Sequence, residues 1–324
     1  MKLHGIIKDY IKVNMTVFVI TLSIACIGLA QVQANPEKQA ATLNEVGVKY
    51  LYETWANALL EKDVKMWQKL TSSYQQRKIR NKLVSKKRNF PADVFLGAPP
   101  NLINLQNLKM VSLTQNGVSA KALFFGDLQL LQKVESKSAQ PVILVRQSLY
   151  SIDFYAESGW WKIAQAGIFD LRHQPELKKQ LLQYQFEPIK LPIPQKLPEL
   201  DLLVDEAEYI GNVWVKAKGV EVELIVNGIR LDSVADAEVV RLILGGLKLG
   251  ENTIQYRVKA PEDNLSNLVE PMIAAIEVFA LSEQRGNKPI KLWSLKTDQK
   301  DELPSIDGFY TTVFHLTSQK AATL

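Results

Sequence analysis

Cysteine occurs once in this chain, at position 26. With no second thiol there is no disulfide, and no thiolate cluster to hold a metal. Histidine is nearly as scarce, at His4, His173 and His315. None lies between Asn35 and Arg172, so a histidine acid/base pair is excluded from that whole stretch. A run long enough to span a membrane is also missing near the start. Met15 to Ala30 has 16 residues without a charge, short of the roughly 20 that a spanning helix needs. There is no G-x-S-x-G elbow, no G-x-x-x-x-G-K-[ST] loop and no H-E-x-x-H motif. Gly245-Gly246 lacks the lysine and the following helix that phosphate binding requires, so it reads as a turn. A strong charge of either sign is absent as well. The formal charge is +5, and only +3 remains beyond position 34, too mild an excess to imply nucleic-acid binding.

What remains is the composition of an ordinary globular protein. Apolar residues make up 47% and charged residues 23% of 324 positions, with room for about two domains. Lys2, Lys8 and Lys12 precede the uncharged run, and Val32-Gln33-Ala34 follows it. That order predicts a signal peptide over 1–34, cleaved near Ala34. The rival readings are an uncleaved anchor and a lipoprotein at Cys26, where Ala25 alone fits a lipobox. Export without disulfides suits a bacterial envelope or periplasmic protein.

From Leu43 the pattern is helical. Val48, Leu51, Tyr52, Trp55, Leu59 and Leu60 recur at three- and four-residue steps. Asp63 can cap a second helix carrying Val64, Trp67 and Leu70, and Thr71 or Ser72 a third carrying Ile79 and Leu83. Strands follow. Asn116-Gly117 predicts a hairpin with Leu113 opposite Ala120 and Met110 opposite Leu123. Ser158-Gly159 predicts another, with Phe154 opposite Ile163, Ala156 opposite Trp161, Tyr155 opposite Lys162 and Glu157 opposite Trp160. The run from Val142 to Phe154 is long for one strand and is expected to bend.

The stretches W-A-N-A-L-L-E-K-D-V-K-M-W-Q-K-L (Trp55 to Leu70) and F-Y-A-E-S-G-W-W-K-I (Phe154 to Ile163), helices first and then a curved antiparallel sheet, resemble the nuclear transport factor 2-like superfamily. The resemblance spans about residues 43–171. It implies a cone whose sheet wraps a helix around a pocket, with either isomerase or dehydratase chemistry or non-catalytic binding. The missing histidine departs from the catalytic members that use one.

Pro188, Pro192, Pro194 and Pro198 fall within 11 residues. Proline has no amide donor for a central strand, so 173–206 reads as an extended linker with few contacts across it. Before the prolines, Pro175-Glu176-Leu177 can open a short helix through Leu182. Beyond Glu208, Val220, Val222, Leu224 and Val226 alternate with Glu221, Glu223 and Ile225 into Asn227-Gly228. This predicts a hairpin pairing Val226 with Ile229 and Leu224 with Leu231. Leu249-Gly250-Glu251-Asn252-Thr253-Ile254 and the alternation after it are similar to the closing strands of immunoglobulin-like domains on bacterial surface proteins. Further strands are expected at Ile273–Leu281, Ile290–Leu295 and Phe309–Leu316, and a frayed tail over 318–324. The expected fold class is α+β: a cone of helices and curved antiparallel sheet over 35–172, a Pro-rich linker over 173–206, and a β-sandwich over 207–317.

Two groups of residues are candidates for binding. By strand parity, Arg146, Tyr150 and Gln165 share the inner sheet face with Phe154 and Ile163, where polar atoms need partners, a ligand or one another. Asp153 falls on the outer, mixed face beside Tyr155. The run Arg77, Lys78, Arg80, Lys82, Lys86, Lys87 and Arg88 has no acidic residue among it. It reads either as a surface for acidic lipid or an envelope polyanion, or as a solvated helix face. Tyr50, Tyr52 and Trp55 either line a cavity or form core. No catalytic residue, cofactor or metal is expected. The two functions in competition are a non-catalytic envelope binding or assembly module and a small-molecule enzyme with its pocket in the cone. The expected partner is an envelope protein or a small ligand. Nucleic acid is not expected, and a membrane is met only through the N-terminal segment if that segment is retained.

Overall fold

A computed structural model describes residues 41–97, 103–132, 142–171, 175–183, 193–259, 273–284, 286–297 and 308–324. The signal-peptide region, Cys26, His173, Pro188 and Pro192 lie outside the described residues.

Three helices open the described chain, each started by a side chain that satisfies an orphan amide. Asn44 accepts from Gly47 N at 2.8 Å to begin α1 (Glu45–Leu60). Asp63 accepts from Met66 N at 3.0 Å to begin α2 (Val64–Leu70). Ser72, rather than Thr71, accepts from Gln75 N at 3.2 Å to begin α3 (Ser73–Val84). Trp67 of α2 is fully buried between Phe90 and Phe95, both edge-on with ring centroids 6.1 Å away. Ile79 of α3 packs against this same cluster. Burying aromatic rings of that size is what holds three short helices together, since none is long enough to stand alone.

Four antiparallel strands follow in simple order: β1 (Lys109–Asn116), β2 (Ser119–Gln132), β3 (Val142–Glu157) and β4 (Trp160–Asp170). The β3–β4 hairpin has the four expected pairs, turning at Ser158 and Gly159, both at positive φ. The first hairpin turns one residue later than expected. Asn116 faces Ser119, so Leu113 faces Ala122 instead of Ala120. A slip of two positions leaves each side chain on its face. A bulge at Val111 then places Met110 opposite Phe124. Helix α4 (Pro175–Leu182) ends this part, with Leu181 buried against Phe125, Leu149 and Leu171. The start of the expected linker therefore belongs to the first sheet's packing.

The second sheet holds β5 (Ile210–Val226), β6 (Ile229–Leu242), β7 (Gly250–Lys259), β8 (Ile273–Leu281), β9 (Ile290–Thr297) and β10 (Tyr310–Leu316). Val226 pairs with Ile229 and Leu224 with Leu231, as expected. In β5, burial runs through Val213, Val215 and Ala217 and then changes phase to Val220, Val222, Leu224 and Val226. The change falls at Lys218-Gly219, where extra residues bulge out of the ladder and bend the strand. The bend lets one edge serve two partners. The first half of β5 pairs with β8 and the second half with β7. All the strands are antiparallel, and the sheet is nearly closed and barrel-like, so the mixed α+β class holds.

The tail does not fray. Thr317 accepts from Lys320 N at 3.3 Å and caps α5 (Ser318–Ala321). Ala321 and Leu324 then pack on the second core. A cap and two apolar side chains suffice to tie down a short terminus.

Candidate functional site

Among the described residues, α1 packs onto the inner face of the first sheet. Val48, Tyr52 and Ala56 of α1 meet Ala122, Phe124, Ile152, Phe154 and Ile163, all buried. Tyr150 is buried here as expected, but its partner comes from α1: its hydroxyl donates to Tyr52 Oη at 3.2 Å, with the rings edge-on at 5.7 Å. Burial raises both phenols above the usual tyrosine range; the charge and hydrogen bond of Tyr52 raise Tyr150 further, while the bond from Tyr150 opposes the shift of Tyr52. Trp55 joins the same packing, its Nε1 donating to Thr71 Oγ1 at 3.0 Å, while Tyr50 is exposed.

Arg146 lies opposite buried Leu128 and is half-buried near the strand's beginning. Gln165 is not on the inner face. Phe154 pairs with Ile163 but Asp153 pairs with Gln165, so Ala164 is an extra residue that inverts parity beyond it. Gln165 is consequently exposed on the outer face with Asp153. The structure does not bring Arg146, Tyr150 and Gln165 together as one site. Lys121 Nζ lies 3.4 Å from Asp153 Oδ1 on that outer face. Burial pushes the Asp153 carboxyl up, and Lys121 opposes the shift.

The seven basic residues separate by their position on α3 and the turn after it. Arg77 donates to Asp201 O at 3.0 Å and Arg80 to Val204 O at 2.9 Å. Between them Asn81, 1% exposed, donates to Leu202 O at 2.8 Å and accepts from Val204 N at 3.4 Å. One face of the helix thus grips the strand-like segment 201–204 by its backbone. Buried Ser85 accepts from Gly245 N at 2.8 Å and donates to Asn81 O at 2.6 Å, and Ala207 N donates to Val84 O at 3.3 Å. Lys87 pairs with Glu283 at 2.6 Å. The end of the expected linker is therefore docked on the first sheet's helices and the second sheet together, not extended between them. Its polar backbone groups find acceptors and donors on α3, which an isolated spacer would take from water. Arg88 is exposed beyond the helix.

Lys78, Lys82 and Lys86 point elsewhere. They line one wall of a cleft of about 550 Å³ between α3 and β6. Arg241 and Arg230, the latter with its guanidinium 6.0 Å from the centre of the Phe309 ring, line the other side, with Asp201 and Asp232 as the carboxylates and Leu202, Leu231 and Val240 among the apolar lining. Five cations against two carboxylates leave an excess of three positive charges. Lysines four apart on one helix repel by ~0.2–0.5 kcal/mol per pair, and α3 contains no acidic residue to offset this. Lys82 is exposed as a residue, yet partial burial of its ammonium by the cleft walls holds its pKa below the usual value. Lys78, Lys86 and Arg241 add to that shift and Asp232 opposes it. Arg241 Nε is buried and donates to no acceptor among the described residues. Sequence spacing alone could have separated Lys78, Lys82 and Lys86 from Arg77, Arg80 and Lys87 on a helical wheel. It could not have supplied the facing arginines.

Among the described residues there is no cluster of three metal-ligating side chains, and no helix is long and apolar enough to cross a membrane. No family model, curated protein or solved structure matches the chain.

Proposed function

We propose that the protein is an exported bacterial envelope protein that works as a non-catalytic binding or assembly module. In this reading residues 1–34 direct export and are removed, 35–172 form a nuclear transport factor 2-like cone, and 207–317 form an immunoglobulin-like β-sandwich. The segment 173–206 joins them and is partly held on the cone's third helix. The observation that carries the reading is the joint between the two sheets. Hydrogen bonds from Arg77, Arg80 and Asn81 to the segment 201–204, and one from Gly245 N to Ser85, fix it, and an open cleft of about 550 Å³ is left beside it. A composite cleft between two folded units is a common place for recognition, and its size is that of a small-ligand site. The packing of Tyr52 against Tyr150 on the inner face of the first sheet supports the same reading. The test is expression of the complete gene in a bacterial host with mass spectrometry of the exported product, followed by affinity capture from the envelope fraction. A mature terminus near Asn35 and one envelope component retained in fixed ratio are expected. Retention of Met15–Ala30, or depletion of a small molecule from a cell extract with no retained component, would overturn the proposal.

A further inference from the structure

We infer that the cleft between α3 and β6 is a binding site for a multivalent oxyanion, a phosphate- or carboxylate-bearing small ligand or headgroup. This rests on the reading of the protein as a binding module and names what it binds. Three lysines stand one helical turn apart along one wall, and two arginines face them across a space of ligand size. Such a concave arrangement concentrates positive potential, because low-dielectric walls on both sides focus the field. The two carboxylates present, Asp201 and Asp232, neutralise less than half of it.

The second observation is Arg241. Its guanidinium carries five N–H donors in a planar fork and cannot lose its proton in a protein. Its Nε is buried without an acceptor among the described residues. A buried donor is normally paired, and a fork of this kind matches the oxygens of phosphate or carboxylate. The remainder of α3's basic run is already used, with Arg77 and Arg80 on backbone carbonyls and Lys87 on Glu283. The cleft lysines have no comparable ion pair with an acidic side chain among the described residues. An oxyanion spanning Lys78, Lys82 and Arg241 would offset the positive excess of the cleft and relieve the repulsion between the lysines.

The experiment is titration calorimetry of the full chain, kept in mild detergent, with inorganic tripolyphosphate and with citrate at low salt. A parallel flotation assay uses vesicles with and without phosphatidylglycerol. Lys82→Gln, Lys86→Gln and Arg241→Gln are compared with Lys65→Gln, an exposed control on α2. Saturable binding of a soluble anion is expected. It should weaken about tenfold on each cleft substitution, the value of one charge-assisted hydrogen bond, and should be unchanged by the control. Because Lys82 and Lys86 are exposed, their variants keep the fold even if Arg241→Gln does not. Binding only to anionic vesicles, with the same sensitivity, assigns the oxyanion to a lipid headgroup and also supports the site. Absence of binding in both arms, or binding equally affected by Lys65→Gln, overturns it. An envelope component retained equally by wild type and cleft variants overturns this site while leaving the binding-module reading intact. Anion binding with no retained component supports this site and overturns only the assembly part of that reading.

Discussion

Replacing Asn81 by alanine tests whether α3 holds the two sheets together. The side chain is 1% exposed and makes a well-formed bond to Leu202 O at 2.8 Å and a longer one from Val204 N at 3.4 Å. Leu202 is exposed, so its carbonyl can turn to water when the amide is removed. Val204 is 5% exposed, so its N–H is left without a partner in a dry place. The first loss costs ~1 kcal/mol, the net worth of one hydrogen bond, and the second ~1–3 kcal/mol for an unsatisfied buried group. The longer bond is weak in the native protein, which places the sum near 2–3 kcal/mol. At ~2–4 °C per kcal/mol for a chain of this size, the melting temperature should fall by about 5–10 °C. Differential scanning calorimetry reads this directly. Leu203→Ala, an exposed neighbour in the same segment, should shift the transition by no more than ~2 °C, since surface changes stay within ~0.5 kcal/mol. If Asn81→Ala melts with the wild type, segment 201–204 is not held by this side chain, and the account of the joint is wrong.

Tyr150→Phe removes the donor to Tyr52 Oη and should cost ~1 kcal/mol in urea unfolding. The double variant with Tyr52→Phe should not recover that loss, because the backbone of Ile103 also bonds the Tyr52 hydroxyl and then loses its partner. Both phenols are pushed up by burial, so the native state binds more protons above the ordinary value of ~10. Stability is present below that pH and declines above it, and the phenolate absorbance of these two residues should emerge only with unfolding. Glu223 behaves in the opposite sense. Lys259 and Arg257 hold its carboxyl below the usual range against a smaller effect of burial, so its stabilising effect is present at neutral pH and lost as acid protonates it. Glu223→Gln should therefore lower the melting temperature at pH 7, and the difference from wild type should shrink as the pH falls below the usual carboxylate range. Gly246→Ala puts a Cβ 2.3 Å from Ala207 Cβ and 2.5 Å from Tyr209 O at φ +69°, whereas Gly228→Ala meets nothing within 4 Å at φ +81°. Thermal melts should show ~1 kcal/mol for the second, the left-handed backbone cost alone, and at least twice that for the first.

What sequence determines by itself is local. Asn44, Asp63 and Ser72 each stand one residue before a helix, where a short polar side chain reaches an orphan amide, and no distant partner is needed. Ser158-Gly159 and Asn227-Gly228 fix their hairpins because positive φ at both positions sets the register of the strands on either side. Single extra residues are harder to read. Nothing in Ile163-Ala164-Gln165 marks the bulge, and it alone moves Gln165 from the inner to the outer face. The tertiary structure also decided what the basic helix is for. A run of like charges looks uniform along the chain. It divides only when the backbone of 201–204 arrives to accept from Arg77 and Arg80, and when β6 brings Arg230 and Arg241 opposite Lys78, Lys82 and Lys86. Those partners are more than a hundred residues away in sequence, so no local pattern can register them. Long-range packing settles which charges are bound by the fold and which remain free to bind something else.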